Sequence, residues 1–154
     1  MKKVKNKIVL IEDDLVLGGS IKELLLLSEF NVNWFLDGIN ALDHLQKNIP
    51  DIIISDMMMP TMNGEQLYIN IRKNRQFDTI PFIIITANVD DKIKYRQLEN
   101  GVNDYILKPF KPKELIYKIR NLYKSVRCND ICNNHFYGQS SYLYYYKCYS
   151  WYLL

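Results

Sequence analysis

The first 127 residues of this chain lack cysteine, and the three cysteines that follow are Cys128, Cys132 and Cys148. An odd number of cysteines gathered at one end does not make a disulfide framework, so we expect none. Cys128 and Cys132 with His135 fall short of the ligand set of a structural zinc site, and we favour no metal there.

Long apolar runs are also absent. Only four consecutive apolar residues, Ile8 to Ile11, separate the basic start from Glu12, which is too short for a signal-peptide core or a membrane span. The net charge of +3 is too small to indicate nucleic-acid binding. We therefore expect a cytoplasmic protein that binds neither a membrane nor, directly, a nucleic acid.

What is present fits one globular domain. The chain has 154 residues, of which 48% are apolar and 24% charged, enough for a core of its own. We place this domain at residues 1–127. Residues 128–154 hold seven of the twelve tyrosines but only one lysine and one acid. With no helical or strand period, this tail is a non-native or disordered extension, a truncated linker, a reading-frame accident or an aromatic docking segment.

Short apolar runs alternate with helical patterns along the domain. The runs predict strands at residues 7–11, 32–35, 51–55, 82–86 and 104–107. They show no polar alternation, which is typical of parallel strands covered on both faces. Helical spacing predicts helices at residues 15–29, from Ile39 to before Pro50, at 64–73, at 89–99 and from Pro112 onward. The alternation predicts an α/β fold, a doubly wound five-stranded parallel sheet flanked by five helices.

The predicted helices carry apolar faces of different quality. Gly18 and Gly19 should weaken the start of the first helix. Its apolar positions are Leu17, Ile21, Leu24 and Leu25, those of the second helix are Ile39, Leu42 and Leu45, and those of the last are Leu115, Ile116, Ile119, Leu122, Tyr123 and Val126. We expect Met57 to Met59 to serve packing.

Polar residues follow the predicted strands where a doubly wound sheet has its working site, beyond the carboxyl ends of the strands. Glu12 and Asp13 follow the first strand, Asp56 ends the third, Thr86 follows the fourth and Lys108 the fifth. Three carboxylates in one partly desolvated pocket either take up protons or hold a hard cation. Magnesium suits such oxygen ligands and bridges readily to phosphate.

The same residues suggest phosphoryl chemistry. Lys108 can pair with a phosphoryl oxygen, and Thr86 offers a hydroxyl donor. Because phosphoryl transfer needs mainly positioning and charge neutralisation, Asp56 can act as a nucleophile and form an acyl phosphate. Taken singly, Asp56 would be a turn or cap residue, Lys108 a solvated lysine and Thr86 a strand residue or helix cap.

Four stretches of the chain carry a family resemblance: "IVLIEDD", "IIISDMMMPTMNG", "IIITA" and "DYILKPF". In this order and spacing they resemble the receiver domain of bacterial two-component response regulators, which has a flavodoxin-like fold. The resemblance covers residues 6 to about 127. It implies a phosphoacceptor in a phosphorelay, not a separate enzyme, that takes part in its own phosphorylation and slow dephosphorylation.

The resemblance also implies the roles of the acids. Asp56 would accept a phosphoryl group from a sensor histidine kinase or a phosphotransfer domain. Asp13, Asp56 and the backbone carbonyl of Met58 would bind Mg²⁺ directly, and Glu12 would act through water. Asp14 lies one place beyond the acidic pair and is left out.

The resemblance assigns further roles around the phosphoryl group. Lys108 and Thr86 would contact it, and Ala87 would keep the adjacent space small. The Lys108–Pro109 bond is expected to be cis. Thr86 and Tyr105 would turn inward as the switch. The alternative that Tyr105 is a static core residue is left open.

The signal would leave through the surface of the fourth helix, fifth strand and fifth helix. On that surface Lys94 with Glu114, and Asp104 with Lys118, fall where a homodimer could pair charges. A solvated charged face would look similar. The effector, and whether the chain stands alone or is part of a longer protein, are open.

Three rival functions fit less well. A haloacid-dehalogenase-like phosphatase would want a second acid where Met58 stands. A flavodoxin-like cofactor binder would need a phosphate-cradling loop after the first strand, where Glu12, Asp13 and Asp14 repel phosphate. A receiver-like binding protein without phosphorylation would not need the complete acidic set.

Overall fold

The computed structural model describes residues 6–87 and 102–135, and for residues 125–135 it describes the backbone only. The strands are β1 (Lys7–Ile11), β2 (Asn31–Phe35), β3 (Ile52–Asp56), β4 (Phe82–Thr86) and β5 (Asp104–Leu107). Each lies within one residue of its prediction. The helix predicted at residues 89–99 lies outside the described residues.

The five strands form one sheet in the order β2-β1-β3-β4-β5, and every neighbouring pair is parallel. The chain moves outward from β1 to β2 and then returns past β1 to β3. The winding therefore reverses between β1 and β3, and this reversal opens a crevice at the carboxyl ends of these two central strands.

The helices of the described part are α1 (Leu15–Leu27), α2 (Gly38–Lys47), α3 (Gly64–Arg72) and α4 (Pro112–His135), and a 3₁₀ turn spans Arg75–Phe77. The 3₁₀ turn was not predicted. Residues 128–135 show no helical period in the sequence, but they continue α4. The domain boundary predicted at residue 127 therefore falls inside this helix, and it stays a prediction. No helix in residues 6–87 and 102–135 is both long and apolar enough to cross a bilayer.

Two cores cover the two faces of the sheet, because successive strand residues point to opposite sides. Alternate strand residues such as Ile53 and Ile84 pack with residues of α2 and α3. The intervening residues, such as Ile54 and Ile85, pack with residues of α1 and α4. Every residue of β3 and β4 is buried, whereas the edge strand β2 is partly exposed. The predicted doubly wound α/β fold is confirmed.

Side-chain caps start the helices that follow β1 and β3. The carboxylate of Asp14 accepts the backbone N–H groups of Val16 and Leu17, and Asn63 forms a capping box with Gln66. Such caps satisfy N–H groups that have no partner within the helix and so fix where each helix begins.

The apolar face predicted for α2 is wrong at Ile39, whose side chain is 53% exposed. Ala41 and Leu45 are fully or almost fully buried and point into the core. Ile39 precedes Ala41 by two residues, roughly half a turn around the helix, so it points to solvent.

Candidate functional site

Three carboxylates meet at the carboxyl ends of β1 and β3. Glu12 directly follows β1 and is 1% exposed, and Asp56, the last residue of β3, is 4% exposed. Asp13 is exposed at the mouth of the pocket. Each of the three offers an oxygen, and these oxygens all lie within 4.8 Å of one another. The structure thus brings together the acids that the sequence analysis placed at this edge.

Lys108 bridges two of these acids. Its Nζ lies 3.0 Å from Oε2 of Glu12 and 2.9 Å from Oδ1 of Asp56. Its backbone N–H donates to the carbonyl of Thr86 at 2.7 Å, which continues the β4–β5 pairing beyond the strand end. The Lys108–Pro109 peptide bond is cis. Pairing at this spacing offsets much of the cost of burying the acids.

The protonation equilibria of the site reflect burial and this pairing. Burial raises the pKa of Glu12, and the Asp56 carboxylate raises it further, while Lys108 opposes both. For Lys108, burial alone would lower the pKa, but the hydrogen bonds to Asp56 and Glu12 outweigh it and raise the pKa. The lysine therefore stays charged at neutral pH and holds the cluster together.

The residues expected to contact a phosphoryl group flank the acids. Thr86 ends β4 and is 6% exposed, and Ala87 follows it at the surface. Tyr105 is 7% exposed and belongs to the core that packs against α2 and α3. Burial, with a contribution from the Glu65 carboxylate, raises the pKa of Tyr105 to about 12. The ring expected to turn inward is thus already buried in this structure.

The loop after Asp56 is drawn close to β3. The N–H of Gly64 donates to the carbonyl of Met57 at 3.0 Å, and a Cβ at Gly64 would lie 2.6 Å from the carbonyl oxygen of Asp56. Met57 and Met59 are buried, whereas Met58 is 70% exposed. The packing role predicted for all three methionines is therefore wrong for Met58, because its side chain points out of the loop.

One residue that contacts the site, Trp34, was missed. The indole N–H of Trp34 donates to the carbonyl oxygen of Glu12 at 2.9 Å, and the indole lies against Gly18 of α1. The available signal was a tryptophan, which carries a donor, near the end of the predicted second strand. Asp14, which was left out of the acidic set, is held by the cap of α1, and the backbone N–H groups of Leu17 and Val16 lower its pKa.

Fold and site together define the class: a flavodoxin-like α/β protein with a lysine-bridged acidic pocket at its topological switch point. Residues 8–120 match the family model described as the response regulator receiver domain. The chain belongs to this family, whose members are signalling domains of two-component systems.

Known relatives agree with this assignment. The chain is 40% identical over 115 residues to the transcriptional regulatory protein CpxR of Escherichia coli K12, covering 75% of this chain and 48% of that protein. It is 36% identical over 115 residues to hybrid signal transduction histidine kinase D of Dictyostelium discoideum, covering 75% and 7%. The chain spans about half the length, or far less, of the curated relatives that it matches.

Comparison with a solved structure also supports the receiver-domain fold. The receiver domain of Francisella response regulator 1452 superposes with a TM-score of 0.73 at 32% identity, covering 79% of this chain and 98% of that one.

Proposed function

We propose that this domain accepts a phosphoryl group on Asp56, with Mg²⁺, from a sensor histidine kinase or a phosphotransfer domain. The observation that carries the proposal is the position of Lys108 Nζ, 3.0 Å from Glu12 and 2.9 Å from Asp56, beside a third carboxylate. A cation next to a nucleophilic carboxylate can pair with the incoming phosphoryl oxygens.

The donor set fits magnesium. All three side chains of the cluster offer carboxylate oxygens, which hard cations prefer, and the exposed Asp13 leaves one side open to water. Asp13, Asp56 and the backbone carbonyl of Met58 would hold the ion, and Glu12 would act through water. When bound, the ion supplies positive charge that neutralises phosphoryl oxygens.

The transfer itself asks little of the protein beyond alignment. An Asp56 oxygen forms the new bond to phosphorus while the phosphorus–nitrogen bond of the phosphohistidine breaks, and the electron pair returns to the imidazole. Lys108 pairs with an oxygen of the transferred group. The Thr86 hydroxyl donates to another, and the small Ala87 leaves room for the group.

The output would use the surface of the helix predicted at 89–99, β5 and α4, with Thr86 and Tyr105 as the switch. Lys118 and Asp104 are expected to pair across a homodimer. Within one chain, however, Nζ of Lys118 lies 2.7 Å from Oδ1 of Asp104. A dimer built on this pair therefore requires the two residues to exchange partners. Lys94, the other basic residue of the predicted dimer pairs, lies outside the described residues.

Incubation with acetyl phosphate and Mg²⁺, followed by intact mass spectrometry, tests the phosphoacceptor assignment. We expect the wild type to gain one phosphoryl group and Asp56→Asn to gain none. Asp51→Asn is the matched control, because Asp51 immediately precedes the opposite end of β3 and is exposed. An unchanged wild-type mass with both acetyl phosphate and phosphoramidate would overturn the proposal.

A further inference from the structure

The backbone of Glu12 is held on both sides by the end of β2. Its N–H donates to the carbonyl of Phe35 at 3.1 Å, and its carbonyl oxygen accepts the indole N–H of Trp34 at 2.9 Å. The first bond continues the strand pairing. The second comes from a side chain, and it fixes the orientation of the peptide that links Glu12 to Asp13.

The indole is itself fixed by α1. A Cβ built at Gly18 would lie 2.4 Å from Cζ2, 2.6 Å from Cε2 and 2.8 Å from Nε1 of Trp34, closer than real Cβ atoms approach. Only glycine therefore allows the ring to rest on the helix backbone with its N–H aimed at Glu12. The Nζ of Lys22 lies 5.9 Å from the ring centroid on the same helix.

This turn carries charges that repel one another. Glu12, Asp13 and Asp14 are consecutive, and a turn free to rotate would separate their carboxylates. Asp14 is anchored by the cap of α1 and Glu12 by Lys108, whereas Asp13 is exposed. The Glu12–Asp13 peptide, which sets where the Asp13 carboxylate points, is the group that Trp34 holds.

We propose that Trp34 is a positioning residue of the acidic site. Its indole N–H pre-organises the Glu12–Asp13 turn, and Gly18 is the small residue that makes this geometry possible. The inference rests on the proposed Mg²⁺ site. Holding a ligand in its bound orientation before binding lowers the ordering cost, so loss of the bond weakens metal binding even when the fold is intact.

Trp34→Phe removes the donor and keeps an aromatic ring. We expect its Mg²⁺ dissociation constant to rise about threefold to tenfold, the range for one net hydrogen bond. We also expect faster amide exchange at Asp13 and Asp14 without metal, a readout independent of phosphorylation. Comparison of indole NMR signals in wild type and Trp34→Phe assigns the Trp34 N–H, which we expect to shift on Mg²⁺ addition in the wild type.

Adjacent glycines provide a matched pair. Both Gly18→Ala and Gly19→Ala improve helix propensity, by about 1 kcal/mol in a helix interior. A Cβ at Gly19 meets nothing within 4 Å, whereas one at Gly18 displaces the indole. We expect Gly18→Ala to weaken Mg²⁺ binding like Trp34→Phe, and Gly19→Ala to bind as the wild type does.

The outcomes separate the two proposals. A wild type that binds no Mg²⁺ overturns the proposed function and this inference with it. A wild type that binds Mg²⁺, with Trp34→Phe and Gly18→Ala folded and binding equally tightly, overturns only the positioning role. Equal weakening in Gly18→Ala and Gly19→Ala also overturns it, because a helix effect would then explain both.

Discussion

The ammonium group of Lys108 brings a positive charge to two carboxylates, those of Glu12 and Asp56. Glu12 and Asp56 are almost fully buried, and buried carboxylates need a charge partner or a proton. The lysine is 22% exposed at its side chain and reaches both acids. Its removal therefore leaves two buried carboxylates without their shared partner.

In the absence of Mg²⁺ and at neutral pH, Lys108→Met should lower the free energy of unfolding by roughly 1.5–3 kcal/mol, which is the range for hydrogen bonds to charged groups. Mg²⁺ should stabilise this variant more than the wild type, because one positive charge beside the cation has gone. Urea unfolding with and without Mg²⁺ measures both effects.

Lys47→Met is the control for this comparison. Lys47 pairs with Asp43 at 3.5 Å, but both side chains are about 70% exposed, and such surface pairs contribute roughly 0–1 kcal/mol. Equal losses in Lys108→Met and Lys47→Met would contradict the structural role given to Lys108.

At the residue scale, the sequence predicted the members of the site better than their surroundings. Glu12, Asp56 and Lys108 were predictable because parallel strands end at one edge of the sheet. The exposed side chain of Met58 and the contact between Gly18 and Trp34 were not. Both depend on how separate elements pack, and no local pattern of the sequence records that.

At the element scale, the cap of α2 illustrates how the loops at this edge of the sheet are fixed. Oδ1 of Asp37 accepts a hydrogen bond from the backbone N–H of Asn40 at 2.8 Å. Oδ2 of Asp37 accepts a second one from the side-chain amide of Asn40. These bonds favour the carboxylate form. The backbone N–H of Asn40 is the main cause that lowers the pKa of Asp37 from 3.8.

Asp37→Ala should cost about 1 kcal/mol of stability at neutral pH, the usual effect of losing an N-cap. Because folding lowers this pKa, the stabilisation is present above pH 3.8 and is lost as pH falls through the folded-state value. The difference between wild type and Asp37→Ala should therefore shrink below pH 3.8. Chemical unfolding across this range measures it.

Asp37→Asn separates the cap from its charge. It keeps an oxygen acceptor for Asn40 but cannot titrate, so its stability should stay near that of the wild type at neutral pH. A difference between wild type and Asp37→Ala that stays constant down to pH 2 would count against this account of the α2 cap.

Most of the strands and helices of the described residues could be predicted from the sequence. Strands such as β3 and β4 are runs of isoleucine that must be buried on both faces, and this fixed their bounds within one residue. The 3₁₀ turn at Arg75–Phe77 was missed because no periodic pattern marks so short an element. Arg72 contacts this region from α3, because its guanidinium donates to the carbonyls of Phe77 and Ile80.

At the scale of the whole molecule, the intrachain pair of Lys118 and Asp104 bears on assembly. Both side chains are less than a third exposed, and the pair joins α4 to the first residue of β5. Tyr105, the predicted switch residue, follows directly. Under the proposed switch, a change at Tyr105 would alter whether Asp104 keeps Lys118 or accepts the lysine of the second copy in the proposed homodimer.

Beryllofluoride, which mimics a phosphoryl group, with Mg²⁺ should convert the protein to a dimer in sedimentation. Asp56→Asn should stay at its untreated mass under the same conditions, because it lacks the carboxylate that beryllofluoride needs. High salt should weaken the dimer only modestly, since Asp104 and Lys118 are partly buried and such pairs are screened less than exposed ones. An unchanged wild-type mass would count against the proposed homodimer.

The role of Asp56 as phosphoacceptor, with Mg²⁺ beside it, is tested most directly by a structure of crystals grown with Mg²⁺ and beryllofluoride. We expect the beryllium bonded to an oxygen of Asp56, its fluorides in contact with Lys108 and Thr86, and the metal on Asp13, Asp56 and the carbonyl of Met58. The site would not be a phosphoacceptor site if these acids stayed without metal and beryllofluoride while Lys108 kept its bonds to Glu12 and Asp56.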